Sequence, residues 1–299
     1  MTDPLDALAA PIVPIAPAPT FAAELRSRLE RELSRRAGAD QAEHVEQEKK
    51  ESMPDALLHN QVSRNGTRHG DVSYVTLALP DAAAGRRFYS GVLGWSFGTG
   101  AVETQGNQAA DVVPQVGLWP GSAWREGIHA GAILSWRVDD LATAVERVRR
   151  AGGTATDPEP LPYGLQSECT DGNGLRFWLH ELPPPVGAAG RNGEHEGDLS
   201  YVVLRVADLD RARRLFNDVL GWSYSPGTTG VHVEGPSPMT GMSEGSPGVT
   251  LCYRVDDIGL SVGRVQAAGG RADPVASRPY GLESLCADDQ GVEFYLHQF

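Results

Sequence analysis

One stretch of this sequence occurs twice, and that duplication narrows what the chain can fold into more than any other feature. Gly70-Asp71-Val72-Ser73-Tyr74-Val75 leads through Pro80-Asp81 to Gly94-Trp95-Ser96, and Gly197-Asp198-Leu199-Ser200-Tyr201-Val202 leads through Ala207-Asp208 to Gly221-Trp222-Ser223. Identity at so many positions, at one constant offset, marks two copies of one structural unit. The inward positions of that unit, Tyr74 and Tyr201 above all, then carry the question of function.

Residues 72–79 alternate as a half-buried strand, and Asp81 can cap a helix that stops at Gly94. In the second copy Leu209, Ala212, Leu215, Phe216, Val219 and Leu220 form an apolar helix face between Asp208 and Gly221. Short strands are expected over 95–98, 101–105 and 113–119, and over 222–224, 230–233 and 239–242. A second strand and helix follow in each copy, over 132–138 and then Leu141, Ala144, Val145 and Val148, and over 250–255 and then Ile258, Val262 and Val265. Each copy closes on a Pro-Tyr-Gly-Leu segment (Pro162, Pro279), a strand bearing Cys169 or Cys286, a turn and a last strand. Each copy therefore holds two βαβββ modules, an α+β fold.

The 299 residues suffice for about two compact domains and an appendage. Asp and Glu number 39 against 26 Lys and Arg, a net charge of -13 that opposes phosphate backbones. Neither nucleic acid nor a membrane is an expected partner, and no run of about 18 apolar residues or secretion signal is present. Three cysteines without a Cys-x-x-Cys pair fit a reducing, cytoplasmic setting.

Residues 1–69 read as a Pro/Ala-rich flexible arm, an amphipathic helix over 20–36 and a charged linker. The helix stripe of Phe21, Leu25, Leu29 and Leu33 suits self-association, docking on the protein body, or a solvated helix. Domain 1 is expected over 70–182, a Pro- and Gly-rich linker over 183–196, and domain 2 over 197–299.

Three motifs carry a family resemblance: the run from Val206-Ala207-Asp208-Leu209 to Gly221-Trp222, the Val-Asp-Asp, helix, Gly-Gly unit of both copies, and the end pieces Asp171, Gly174, Phe177 and Asp288, Gly291, Phe294. They resemble the vicinal oxygen chelate superfamily, which includes glyoxalase I, extradiol dioxygenases and bleomycin-resistance proteins. The resemblance implies two tandem glyoxalase-like domains, each an incompletely closed eight-stranded barrel around a cavity. In metal-dependent members His, Glu or Gln occupies four inward sites, on the first strand, the end of the fourth, the fifth and the last. Here those sites fall on Tyr74, a position within 117–119, Ile133 and Trp178, and on Tyr201, a position within 241–243, Thr250 and Tyr295. Indole, aliphatic and neutral phenol groups are poor metal ligands, so no metal or other cofactor is expected.

Strand alternation extends the inward set to Tyr74, Thr76, Ala78, Ile133, Ser135, Arg137, Arg176 and Trp178 in domain 1, and to Tyr201, Val203, Arg205, Thr250, Cys252, Arg254, Glu293, Tyr295 and His297 in domain 2. Aromatic walls with a few hydrogen-bonding groups suit a small, partly aromatic metabolite or antibiotic, although the same rings could simply fill a core. Catalysis stays open: Arg254, Glu293 and Tyr201 are the candidates for a metal-free isomerase, cyclase or lyase, or for a glyoxalase- or dioxygenase-type metalloenzyme with non-standard ligands. An Arg–Glu salt bridge at the cavity rim is the plainer reading of Arg205, Arg254 and Glu293. Cys252 reads as a small buried hydrophobe. His180 and His297 either line the cavity mouth or sit in water at their strand ends.

Overall fold

A computed structural model describes residues 67–100, 105–110, 112–120, 130–183 and 193–299, all within one compact unit. The expected arm, the helix over 20–36 and most of both linkers lie outside the described residues. The first copy runs β1 (Val72–Leu79), α1 (Ala82–Leu93), β2 (Phe97–Gly98), β3 (Gln108–Ala109), β4 (Gln115–Pro120), β5 (Gly131–Arg137), α2 (Leu141–Arg150), β6 (Thr154–Ala155), β7 (Glu159–Leu161), β8 (Gly164–Thr170) and β9 (Arg176–Glu181). The second repeats it as β10 (Leu199–Val206), α3 (Leu209–Leu220), β11 (Ser223–Pro226), β12 (Val231–Glu234), β13 (Thr240–Glu244), β14 (Gly248–Arg254), α4 (Ile258–Ala267), β15 (Arg271–Ala272), β16 (Ala276–Arg278), β17 (Gly281–Ala287) and β18 (Glu293–Gln298).

Each copy forms one sheet. Its order is β2-β3-β4-β1-β5-β9-β8-β6 in the first and β11-β12-β13-β10-β14-β18-β17-β15 in the second. The two modules of a copy meet at the antiparallel pair of their first strands, β1 with β5 and β10 with β14. The outer strands do not pair with each other, so the sheet stays open. The strand expected over 101–105 lies outside the described residues except for Gln105, and β3 follows at Gln108–Ala109. One expectation needs correction. Each sheet also has a ninth strand, β7 or β16, because the Pro-Tyr-Gly segment turns back on itself and hairpins with β8 or β17.

The helix ends follow local chemistry. Asp81, Asp140, Asp208 and Asp257 each accept a backbone N–H in the first turn of the helix they precede, satisfying donors that the helix itself leaves unpaired. Gly94 and Gly221 end α1 and α3 in the left-handed conformation, at φ 72° and 69°. None of these helices is long and apolar enough to cross a membrane.

One face of each sheet is fully packed. Val75, Leu77, Leu79, Leu134, Trp136, Phe177 and Leu179 in the first copy join Val202, Leu204, Leu251, Tyr253, Phe294 and Leu296 in a single core. The core is shared across the copies. Trp136 meets Phe216 and Trp222 of the second copy, while Tyr253 and Phe294 meet Tyr89 of the first.

The repeated Gly and Trp residues form the seam itself. Trp95 Nε1 donates to Gly197 O and Trp222 Nε1 donates to Gly70 O, each at 3.0 Å. A Cβ on Gly70 would lie 2.7 Å from Leu220 O, and one on Gly197 would lie 2.7 Å from Leu93 O. At positive φ as well, only glycine fits either position.

Candidate functional site

The face opposite the core carries the predicted inward residues. Register places Tyr74 beside Ser135 and Thr76 beside Ile133, with Ser135 beside Trp178; in the second copy Tyr201 lies beside Cys252, Val203 beside Thr250, and Cys252 beside Tyr295. Directly paired residues share a sheet face, so each set converges. Their exposure differs between the copies. Thr76, Ile133, Ser135 and Trp178 are buried and Tyr74 is half-buried, whereas Tyr201, Val203, Arg205 and Tyr295 are all half-buried above the buried pair Thr250 and Cys252.

The first-strand tyrosines occupy a particular place. Tyr74 reaches across to the neighbouring β4, where a Cβ on Gly117 would lie 1.9 Å from the phenol oxygen; Tyr201 does the same over Gly241 of β13, at 2.2 Å. Each phenol therefore needs the glycine beneath it, and each fills the space that a fourth-strand side chain would use. Tyr74 Oη donates to Gln108 Oε1 at 2.8 Å, and Gln108 Nε2 donates to Val116 O. Tyr201 Oη bonds His232 Nδ1 at 3.0 Å, a partner that sequence spacing did not suggest. Burial pushes the Tyr201 phenol up to about 12, so it is a neutral hydroxyl at physiological pH.

Gly241→Ala is expected to cost about 1–3 kcal/mol by overpacking. In a Tyr201→Phe background, which removes the clashing oxygen, the cost should fall by about half. Urea denaturation of the four proteins of this cycle measures the coupling. Strict additivity would show that the ring does not sit over Gly241.

These donors do not fit a divalent cation. The four sites offer a phenol, one of Gly117, Leu118 and Trp119, Ile133 and Trp178 in one copy, and a phenol, one of Gly241, Met242 and Ser243, Thr250 and Tyr295 in the other. Among the described residues no three His, Cys, Asp or Glu side chains converge.

Several candidates are placed differently from expectation. Arg137 is buried, and its Nη2 donates to Leu182 O and Pro183 O. Arg254, its counterpart, donates to Gly193 O and Glu194 O and pairs with Asp256 at 3.1 Å. Both guanidiniums hold the chain between the copies rather than facing a cavity, and the expected pairing of Arg254 with Glu293 is replaced by Asp256. Glu293 is exposed at the first residue of β18. Arg205 Nη1 donates to Thr250 Oγ1 at 3.0 Å. Cys252 is fully buried and burial pushes its thiol up, which suits a packed hydrophobe and not a nucleophile.

Ile133, Arg205, Thr250 and Glu293 also line a cavity of about 430 Å³ where the starts of β5 and β14 approach, together with Arg176, Pro247 and Val249. Parts of the two lining sets therefore meet at the seam.

The two histidines are not in water. His180 and His297 are buried, each beside a serine hydroxyl of the first strand, Ser73 at 3.1 Å and Ser200 at 3.3 Å. Each belongs to a cluster built with the Pro-Tyr-Gly hairpin. In the first copy His180 Nε2 and the Tyr163 hydroxyl both reach Gln166 Oε1, at 2.9 Å. In the second, Glu283 replaces the glutamine: Tyr280 Oη and Arg278 Nε donate to its two oxygens at 2.6 Å each, and His297 Nε2 lies 3.9 Å away. Burial opposes the Glu283 charge, yet Tyr280, Arg278 and His297 together hold its carboxyl below the usual range. The cluster was accessible in principle, since β17 pairs with β18 across a short turn and Glu283 faces His297 directly.

Residues 74–180 match the family described as Glyoxalase-like domain. A protein described as "Putative glyoxylase CFP32", from Mycobacterium bovis and Mycobacterium tuberculosis, is 26% identical over 252 residues, 77% of this chain and 95% of its own length. Among solved structures, the Mn(II)-bound glyoxalase from Novosphingobium aromaticivorans is similar with a TM-score of 0.56 and 18% identity, over 78% of this chain and 83% of that one. Homoprotocatechuate 2,3-dioxygenase from Brevibacterium fuscum is similar with a TM-score of 0.54 and 15% identity, over 78% and 82%. The domain match covers the first copy, and the solved structures share the fold of the chain.

Proposed function

We propose that this tandem chain belongs to the vicinal oxygen chelate superfamily and binds a small, partly aromatic metabolite or antibiotic on the unpacked faces of its sheets, without metal. The observation that carries the reading is the phenol over glycine, repeated in both copies. At the first-strand site a phenol, a weak ligand, stands in place of an imidazole or carboxylate, and its oxygen lies over the glycine of the adjacent fourth strand. Aromatic rings with a few polar groups supply stacking area and orientation for a planar ligand. The second copy is the more accessible, through half-buried Tyr201 and Tyr295. Three buried free cysteines, Cys169, Cys252 and Cys286, fit a reducing cytoplasmic setting.

A second reading, a metal-independent isomerase, cyclase or lyase, is favoured by the hydrogen-bonded Tyr280, Glu283 and His297 of the second copy. Glu283 is a poor base while Arg278 and Tyr280 hold both its oxygens, so binding is the primary reading.

The test is metal analysis of the purified full chain before and after dialysis against a chelator, followed by thermal shifts over a panel of aromatic metabolites. Substoichiometric metal, a melting temperature insensitive to chelator and a ligand-induced rise are expected. One equivalent of Fe, Ni, Zn or Mn whose removal abolishes ligand binding would overturn the reading. Chemical change of a bound hit would favour the enzyme.

A further inference from the structure

The duplicated framework lets each copy serve as the other's control. On the unpacked face of the first copy, Ala78, Leu161, Gln166 and Trp178 stand where the second has Arg205, Arg278, Glu283 and Tyr295. The framework is kept, and although the first copy has Glu168 beside Trp178 and Arg176 at the start of β9, the two arginines of this comparison belong to the second copy alone. In the first copy, the Thr76 and Ser135 hydroxyls are buried with no hydrogen-bond partner. Buried hydroxyls left unpaired suit a neutral polar ligand or water.

In the second copy Glu283 takes Arg278 by its Nε, which fixes the plane of the guanidinium and leaves its two terminal nitrogens without a partner among the described residues. The Arg278 side chain is 49% exposed, so those nitrogens can meet solvent or a ligand. Arg205 is half-buried, bonds only Thr250 among the described residues and makes no ion pair there. Both guanidiniums act electrostatically on the Tyr295 phenol, which places that ring within the field of each. Glu293 acts on the same phenol but pairs with neither arginine, and Tyr280 lies beside His297 with ring centroids 5.7 Å apart.

We propose that the unpacked face of the second copy takes a ring-bearing organic anion, a carboxylate or a phosphate ester, held by Arg278 and Arg205 with its ring against Tyr295, while the first copy takes an uncharged ligand. The inference rests on the ligand-binding reading above and names the chemistry of one of its two sites. Planar guanidinium forks match carboxylate and phosphate oxygens, and a guanidinium already oriented by a carboxylate loses little freedom on binding. The net charge of -13 repels anions from the chain as a whole. Any preference for an anion must therefore come from local groups such as these, and that makes it removable by substitution.

The experiment uses the full chain at fixed ionic strength, with benzoate, phenyl phosphate and neutral benzamide as probes and calorimetric or ligand-observed NMR readout. Arg278→Leu and Arg205→Ala install the residues of the first copy, and a circular-dichroism melt checks that each variant folds. At least one anion should bind about tenfold more tightly than benzamide, and either substitution should erase that preference by weakening binding of the anion. Which anion binds more tightly separates carboxylate from phosphate. Equal affinity for charged and neutral probes, an anion preference that survives both substitutions, or no binding of either anion would overturn the assignment. Benzamide binding without an anion preference would defeat this inference alone, and failure of every probe together with the aromatic panel would defeat the ligand-binding reading as well.

Discussion

Trp136→Ala is expected to destabilise the protein by about 3 kcal/mol and to lower one cooperative unfolding transition rather than one of two. Truncating a buried tryptophan typically costs about 3–5 kcal/mol in lost transfer energy and cavity formation. Trp136 is fully buried, with the Phe177 and Phe216 ring centroids at 5.1 Å and that of Trp222 at 5.3 Å. Its Nε1 is buried without a partner, and removing that donor recovers about 1 kcal/mol, which puts the expectation at the lower end of the range. Two of its three aromatic neighbours belong to the other copy. A cavity here therefore loosens the seam and both sheets together. Chemical denaturation followed by far-ultraviolet circular dichroism measures this. Two separated transitions, with only the first copy's shifted, would show that the copies are energetically independent.

Acidification should destabilise the protein through His180. The ring is 4% exposed, and burial lowers its pKa from an ordinary 6.5 to about 3. In the unfolded chain the imidazole takes a proton below about pH 6.5, whereas in the folded protein it stays neutral until about pH 3. Between those values the unfolded state binds more protons, so stability falls as pH falls, by at most about 1.4 kcal/mol per pH unit. Neutral His180 donates from Nε2 to Gln166, an arrangement that needs no charge. His297 is shifted in the same direction by burial, with Glu283 opposing the shift, so it adds to the slope. Urea midpoints from pH 7 to pH 4 should drop more steeply for the natural protein than for His180→Gln. Parallel slopes would mean that His180 is protonated in the fold, contrary to its burial.

The parts of the fold that sequence made legible were those governed by period and by local caps. The alternation along β1, β5 and β9 put Tyr74, Ser135 and Trp178 on one face, because side chains on a strand have only two directions. Asp81 and Asp208 announced their helices for an equally local reason. What stayed hidden depended on contacts across the chain. Arg137 and Arg254 have the right parity for a cavity, but parity does not say where a long side chain ends, and both turn to backbone carbonyls between the copies. Gly117 and Gly241 fall within the fourth-strand positions of the resemblance, but sequence does not show the phenol that lies over each. The Glu283 cluster needed the register of β17 on β18, and the reciprocal Trp95 and Trp222 bonds needed the relation between two copies that neither shows alone.

Those reciprocal bonds are the pattern of a two-fold symmetric pair, in which whatever one partner does for the other is returned. In a pair made of identical chains, every substitution appears twice, and a charge that improved one pocket would be imposed on its twin. Joined in a single chain, the halves share a framework but not a sequence. Leu161 could stay apolar while Arg278 became a cation, so the covalent join allows one scaffold to carry two unlike specificities.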